Sequence, residues 1–135
     1  MFAVHLKSKY GGAEASEPIR RAEAAKIREI IDGLLQRDPE SRFVICGDFN
    51  DIWASISLKT IRGSGPGELH CPGSTLPEAQ RVTYNREPYR SMIDFILCSP
   101  AMHRLYEPDS YRIIPGSVDD SGSDHNPAVA TFRTR

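Results

Sequence analysis

Two oxygen-bearing side chains, Asp48 and Asn50, follow the apolar run 42–46 and are separated from each other by Phe49. Side chains two residues apart point to the same side of an extended backbone, so this carboxylate and this amide could share a metal ion or a phosphate. Gly47 lets the backbone turn as it leaves the run, which predicts a site at the carboxyl end of a buried strand. The same residue types form ordinary turns, so composition alone leaves a plain turn as the alternative.

Two further groups of polar side chains favour the functional interpretation. Asp94 stands inside the apolar run 92–97, where a buried and unpaired carboxylate would be unstable. Asp124 and His125 directly precede another apolar run, 128–132. A single histidine is more often a surface or core residue than a catalyst, but one that follows an aspartate and accompanies two other carboxylates favours catalysis.

Four segments, in their order along the chain, resemble the endonuclease/exonuclease/phosphatase family, whose DNase I-like members are metal-dependent phosphodiesterases. They are residues 4–8, 47–51, 93–97 and 123–127, with the sequences VHLKS, GDFND, IDFIL and SDHNP. The resemblance implies an α/β fold, namely half of a four-layer α/β sandwich with a mixed sheet and flanking helices. It also implies that residues 1–135 are a single truncated domain whose amino-terminal half is absent. In the family that half carries a metal-binding Glu and a phosphate-contacting Asn.

The same resemblance implies hydrolysis of a phosphate ester at a Mg²⁺ or Mn²⁺ site. Asp48 would orient or deprotonate the attacking water and, together with Asp124, would bind the metal. Asn50 would hold an oxygen of the substrate phosphate. Oxygen ligands suit such a hard ion, which keeps several waters and binds through one or two carboxylates.

The remaining predicted roles surround the phosphoryl group. His125 would act on it as a base or as a cation, and Asp94 would fix the tautomer and orientation of that histidine. His5 would stand across the phosphate as a second donor. Arg20 and Tyr84 are predicted to contact the substrate, with a solvated helix face and a strand edge as the respective alternatives.

The sequence leaves two substrate classes and one non-catalytic alternative. A phosphodiesterase or nuclease is the first hypothesis, and the segment 4–8 with its glycine-rich sequel resembles bacterial members of the family. A phosphomonoesterase or a lipid-headgroup phosphodiesterase is the second. The alternative of a different class is a catalytically incomplete half-domain that persists as a homodimer or with a partner that covers its exposed face.

Length and composition are those of one domain, with 135 residues of which 39% are hydrophobic. A formal net charge of -1 excludes indiscriminate binding of nucleic acid through a global positive field. Three cysteines without Cys-x-x-Cys spacing predict reduced thiols and a cytoplasmic location, and no signal peptide or membrane span is apparent. The spacing of His70, Cys71, Cys98 and His103 fits no zinc pattern.

The elements that must position these side chains follow from apolar periodicity and turn residues. Apolar residues recur every three or four positions between 24 and 34, which predicts a helix that Pro18 opens and Asp38-Pro39 ends. Because it lies between strands at 1–6 and 42–46, this helix would form a crossover unit. Further predicted elements are short helices at 55–61 and 99–105 and strands at 81–84, 92–98, 111–115 and 128–132.

Overall fold

The structure, a computed structural model, describes residues 1–116, 119 and 122–133. The Asp, Ser and Gly content of residues 116–123 predicts a loop, and part of this segment lies outside the described residues. The strands are β1 (Phe2–His5), β2 (Val44–Asp48), β3 (Asp94–Cys98), β4 (Arg112–Ile113) and β5 (Ala128–Val129). The α-helices are α1 (Ala13–Arg37), α2 (Ile56–Arg62) and α3 (Pro100–His103), and short 3-10 helices span Gly65–Gly67, Pro72–Thr75 and Glu78–Gln80.

A mixed three-stranded sheet has the strand order β1-β2-β3. It carries polar side chains at one end of its strands, where β1 and β2 end and β3 begins. β1 runs parallel to β2 with His5 opposite Asp48, and β3 runs antiparallel to β2 with Asp94 opposite Asp48. β4 and β5 form a separate antiparallel pair. The register of the first sheet therefore places in one row three residues that lie far apart in the sequence.

The crossover helix α1 begins at Ala13 rather than at Pro18, so the predicted start is wrong. Proline is favoured at the first helical position, but here it lies inside the helix, where it removes one backbone hydrogen bond. The residues before it include alanine and glutamate, which are good helix formers, and the Ser16 hydroxyl donates to the carbonyl of Gly12 at 2.9 Å. The buried face of α1 consists of Ser16, Arg20, Ala24 and Ile31.

The hydrophobic core lies directly behind the strand ends that carry these polar side chains. Phe49, fully buried, meets the ring of Phe95 edge-on at a centroid distance of 5.7 Å. Because Phe49 is anchored in the core, the turn that carries Asp48 and Asn50 is held in place on both sides. Other large, fully buried members of the core are Ile31, Ile45, Leu58, Ile61, Leu69 and Leu97.

The predicted strand 81–84 is wrong. Tyr84 makes isolated bridges, one of them to His125, instead of a continuous ladder. The hydroxyl of Thr83 accepts a hydrogen bond from the backbone N–H of Asp94 at 3.0 Å, so the segment contacts the start of β3 through a side chain and not through a continuous ladder. The bridge from Tyr84 to His125 holds this histidine close to Asp94, the residue that begins β3.

The other predicted elements are present with shifted ends. β2 extends to Asp48 because its last residue pairs with β3, and the predicted helix at 99–105 ends at His103. The strands predicted at 111–115 and 128–132 are reduced to the two-residue strands β4 and β5. Among the described residues, no helix is both long and apolar enough to span a membrane.

Gly47 is expected to tolerate no side chain. A Cβ atom there would lie 2.0 Å from the carbonyl oxygen of Val4 on β1, and the φ angle of Gly47 is 139°. We expect Gly47→Ala to lower the free energy of unfolding by about 2 kcal/mol or more. Gly33→Ala is the control, because a Cβ atom at this helical position meets nothing within 4 Å. Urea unfolding measures both changes, and equal stabilities of the two variants would contradict the expectation.

Candidate active site

Four of the predicted site residues meet at the end of the sheet where β1 and β2 end and β3 begins. One ligand atom from each of Asp48, Asp94 and His125 lies within 4.8 Å of the other two. Nδ1 of His125 is 2.9 Å from Oδ2 of Asp94, and Nε2 of His5 is 3.7 Å from Oδ2 of Asp48. Two carboxylates are thus each in contact with a histidine, an arrangement suited to holding and moving protons.

Asn50 occupies a left-handed backbone conformation with a φ angle of 49°. Its backbone N–H donates to Oδ1 of Asp48 at 2.7 Å, which stabilises this uncommon conformation. Its side-chain Nδ2 donates to Oδ2 of Asp48 at 3.1 Å and to the carbonyl of Leu6 at 2.9 Å. Asn50 therefore orients the Asp48 carboxylate, and it would have to exchange the bond to Asp48 in order to donate to a phosphate oxygen.

The surroundings of Asp48 favour its neutral form. Burial raises the pKa of the Asp48 carboxyl above its ordinary value, the N–H of Asn50 opposes this, and the charge of Asp94 reinforces it. A cation placed between two carboxylates removes their repulsion and reverses such a shift. Carboxylate oxygens are also the donors that Mg²⁺ prefers. Asp48 and Asp94 therefore fit a divalent cation by their chemistry and by their proximity.

His125 is held from two sides. Nδ1 contacts Asp94, and the ring of Tyr84 lies 5.2 Å from the imidazole at an angle of 58° between the two planes. With Nδ1 directed at a carboxylate, Nε2 is the nitrogen that can meet a substrate. Tyr84, which was predicted to bind the substrate, lines the same pocket and also supports the histidine.

Asp124 was predicted to bind the metal together with Asp48, and this role stays a prediction. Among the described residues, the set of neighbouring Asp and His ligands contains Asp94 and does not contain Asp124. Oδ2 of Asp124 is 4.0 Å from Nη1 of Arg86. The antiparallel pairing of β2 with β3 puts Asp94, instead of Asp124, directly opposite Asp48.

Arg20 was predicted to contact the substrate, and the structure places its side chain away from solvent among structural partners. Its side chain is 2% exposed, and Nε is 3.4 Å from Oδ2 of Asp51. Nη1 donates to Ser16 Oγ at 2.8 Å and to the carbonyl of Lys7 at 3.1 Å. A buried guanidinium needs such partners because an unpaired buried charge is unstable.

Asp51 links this buried arginine to a lysine at the pocket. Its Oδ1 is 3.1 Å from Nζ of Lys9. Burial alone would raise the pKa of Asp51, but the hydrogen bond and the charge of Lys9, the N–H of Ile52 and the charge of Arg20 together hold that pKa below its ordinary value. The network thereby fixes Lys9 beside the site.

Asp51→Asn is expected to destabilise the fold by roughly 3 kcal/mol at pH 7, because Arg20 would remain buried without a countercharge. Since the folded-state pKa of Asp51 is depressed, its carboxylate stabilises the fold above its ordinary pKa of 3.8, and this contribution is lost as the pH falls through the lower folded value. Urea unfolding of both proteins from pH 7 to pH 2 measures the difference. A gap that stays constant over this range would contradict the assignment.

The polar group opens into a pocket of about 970 Å³. Sequence reasoning found five residues of its wall, namely His5, Asp48, Asn50, Tyr84 and His125. It did not assign the others, which are Ser8, Lys9, Tyr10, Ala13, Ile52, Pro88, Tyr89, Arg90, Ser91 and Ile93. The alternation of tyrosine and arginine between 84 and 90 was the available signal for part of this wall. The segment 8–13 carried no comparable signal.

The histidines and cysteines considered for zinc do not form a metal site in the part of the chain that the structure describes. The rings of His70 and His103 stack with centroids 4.2 Å apart, and Sγ of Cys98 is 3.8 Å from Nδ1 of His103. Burial raises the pKa of the Cys98 thiol to about 12, which keeps it protonated and makes it a poor ligand. All three cysteines are free thiols, as predicted.

Several solved structures share this fold. An endonuclease/exonuclease/phosphatase from Bacteroides vulgatus superposes with a TM-score of 0.63 and 25% identity, covering 87% of this chain and 46% of that one. A mannosyl-6-phosphatase from Bacteroides thetaiotaomicron gives 0.59 and 21%, covering 85% and 46%. Beta toxin from Staphylococcus aureus gives 0.55 and 18%, covering 97% and 51%. The predicted α/β fold with a mixed sheet is confirmed, and the chain spans about half the length of these structures.

A comparison with curated proteins found no match. The model of the Endonuclease/Exonuclease/phosphatase family matches residues 1–115, which include the segments 4–8, 47–51 and 93–97. The fourth segment, 123–127, lies beyond the match but contributes His125 to the same cluster. Sequence, fold and site agree, and the chain belongs to the endonuclease/exonuclease/phosphatase family.

Proposed function

We propose that this chain carries the reaction centre of a metal-dependent phosphate-ester hydrolase, with phosphodiesters, including nucleic acid, as its first substrate class. The observation that carries this proposal is the cluster of Asp48, Asp94 and His125, of which Asp48 and His125 line the pocket. Two carboxylates and a histidine supply what phosphate-ester hydrolysis requires, namely a cation site, a group that activates water and a proton donor. Family membership supports the same class of reaction.

Asp48 and Asp94 would hold a Mg²⁺ or Mn²⁺ ion. When bound, such an ion offsets the negative charge that builds on the phosphate oxygens. Asp48 would also orient or deprotonate the attacking water. Asn50 supports that role because its two N–H groups direct the carboxylate oxygens.

His125 would face the phosphoryl group through Nε2. If Nδ1–H donates to Asp94, the neutral ring presents a lone pair at Nε2, and the protonated ring presents a second donor there. The first form accepts a proton and the second stabilises negative charge on a phosphate oxygen. His5, which contacts the other side of Asp48, would supply a proton to the leaving oxygen.

The test is hydrolysis of bis(4-nitrophenyl) phosphate by the purified chain in Mg²⁺ or Mn²⁺. We expect turnover that is abolished by a chelator and by Asp48→Ala. Asp32→Asn is the matched control, because Asp32 lies on α1 and pairs with Arg28 away from the pocket. Turnover that survives Asp48→Ala would contradict the proposed site.

A phosphomonoester is the second candidate substrate class. The solved structure that is named a mannosyl-6-phosphatase shares the fold at a TM-score of 0.59, and the pocket volume of about 970 Å³ suits a small ester. Phosphate release from 4-nitrophenyl phosphate, compared with hydrolysis of the diester under the same conditions, distinguishes the two classes.

The alternative proposal is a half-domain that works only as a dimer or with a partner. β1 pairs with β2, and no described strand lies along its other edge. Phe2 and Ile30 are exposed and line an apolar cavity of about 120 Å³ between β1 and α1. Such an edge and such a surface favour association. Light scattering at micromolar concentration tests this, and a strictly monomeric chain that hydrolyses the diester would contradict it.

A further inference from the structure

The pocket extends well beyond the group that would hold a phosphate. Its volume of about 970 Å³ is at the upper end for small-molecule sites. Two loops form its outer part: residues 8–13, which leave β1, and residues 84–93, which enter β3. Because β2 lies between β1 and β3, these loops flank Asp48 from two sides. The outer space is therefore continuous with the reaction centre and is walled by residues that the chemistry does not use.

Tyr10 and Tyr89 are two largely exposed aromatic residues of this wall, and Tyr89 stands on a turn that is paired with Tyr84. Its side chain is 70% exposed, although large aromatic rings on a folded surface usually gain stability by burial. The backbone N–H of Tyr89 donates to the carbonyl of Arg86 at 2.8 Å, and its carbonyl accepts from the hydroxyl of Ser91 at 2.9 Å. Ser91 in turn pairs with Tyr84, which contacts His125. The ring thus stands on a hydrogen-bonded turn tied to the reaction centre.

The rest of the outer wall combines apolar surface with hydrogen-bond donors. Ile52 and Ile93 line it with aliphatic carbon, and Lys9, held by Asp51, adds an ammonium group. Ser8 adds a hydroxyl. A ligand with a flat apolar face and a polar edge matches both features, since the face can lie on an aromatic ring while the edge meets the donors. A linear alcohol offers no such face.

We propose that Tyr89 is a specificity-determining residue that stacks on a ring in the leaving group of the phosphate ester. The substrate class is therefore a ring-bearing alcohol, either a sugar or a nucleoside, esterified to phosphate. The inference rests on the proposed hydrolase function, because it assumes that the phosphate occupies the centre at Asp48 and His125.

The test measures the affinity of the chain, in Mg²⁺, for glucose 6-phosphate, adenosine 5′-monophosphate and glycerol 3-phosphate by isothermal titration calorimetry. All three carry the same phosphate group, and only the first two carry a ring. We expect at least one ring-bearing ester to bind about tenfold more tightly than glycerol 3-phosphate. The member of the pair that binds more tightly identifies the ring as a sugar or a nucleobase.

Tyr89→Ala should remove this tenfold preference, whereas Tyr89→Phe should retain it because the phenyl ring still stacks. Equal affinities for the three esters, or equal loss of affinity for all of them in Tyr89→Ala, would overturn the subsite. Hydrolysis of bis(4-nitrophenyl) phosphate reports separately on the proposed function. If the chain prefers ring-bearing esters but shows no metal-dependent hydrolysis, the proposed reaction is overturned and the subsite is kept. If it hydrolyses the diester but shows no ring preference, the subsite is overturned and the proposed reaction is kept.

Discussion

His125→Ala is expected to lower the turnover number for a phosphate ester by a factor of about 10² to 10⁴, the range for loss of a positioned acid or base. The imidazole is held at Nδ1 by Asp94 at 2.9 Å and packs against Tyr84, so no neighbouring group can take its place without a rearrangement. Steady-state kinetics with bis(4-nitrophenyl) phosphate measures the effect. The Michaelis constant should change much less than the turnover number, because the histidine acts chiefly on the transition state.

Two further variants make this expectation specific. Asp94→Asn should also reduce turnover, because an amide can leave the imidazole in the wrong tautomer and removes a carboxylate from the cation site. His70→Ala is the control, since His70 is exposed and stacks on His103 outside the pocket. A similar loss in His70→Ala and in His125→Ala would show that the effect is structural and not catalytic.

Asp48→Asn is expected to abolish most of the activity while it stabilises the fold. The activity loss is again about 10² to 10⁴-fold, because the variant lacks both the base and a cation ligand. The gain in stability follows from the raised folded-state pKa of Asp48, which burial causes first and Asp94 increases. An asparagine keeps the shape and the acceptor for the backbone N–H of Asn50, and we expect the removal of the half-buried charge to outweigh the loss of the bond from Asn50 Nδ2.

The sign of the stability change follows from proton linkage. A carboxyl whose folded-state pKa is raised stabilises the fold fully below its unfolded pKa and loses this contribution as the pH rises through the folded value. Asp48→Asn should therefore melt higher than the parent chain at pH 7, and the difference should vanish near pH 3. The melts require a chelator, because a bound cation would compensate the charge.

Asp51 provides a matched comparison within the same turn. The pKa of Asp51 is lowered, whereas that of Asp48 is raised, so the two Asp→Asn variants should shift the melting temperature in opposite directions at pH 7. A decrease in both variants would mean that the carboxylate of Asp48 is compensated by its neighbours. This outcome would contradict the expectation that the negative charge of Asp48 destabilises the fold.

The local sequence determined the turn and indicated that Asp94, which is half-buried in the structure, needs a partner. An apolar strand that ends in Gly47, followed by Asp48 and Asn50 around Phe49, specifies a turn whose polar residues face outward while the ring is buried. Asp94 within an apolar run had to find a partner because a lone buried charge is unstable. These conclusions needed only the alternation of side chains along a strand and the free-energy cost of burying a charge, which can both be judged from a short segment.

Only the tertiary structure decided which of the charged residues face the pocket. Arg20 has the sequence context of a solvated helix face, but α1 packs on the sheet so that its guanidinium is buried against Asp51. Asp124 precedes His125 in the sequence, and strand register places Asp94 opposite Asp48.

Lys9 is a residue that the sequence did not single out, since it stands in no motif and yet lines the pocket. The physical reason is that the contacts at the site join segments far apart in the chain. Their positions depend on strand register and helix packing, which periodicity and residue type within one segment do not specify. The sequence by itself therefore determined the family and the candidate reacting groups, and the fold decided which of these residues lie together and which residues form the walls of the pocket.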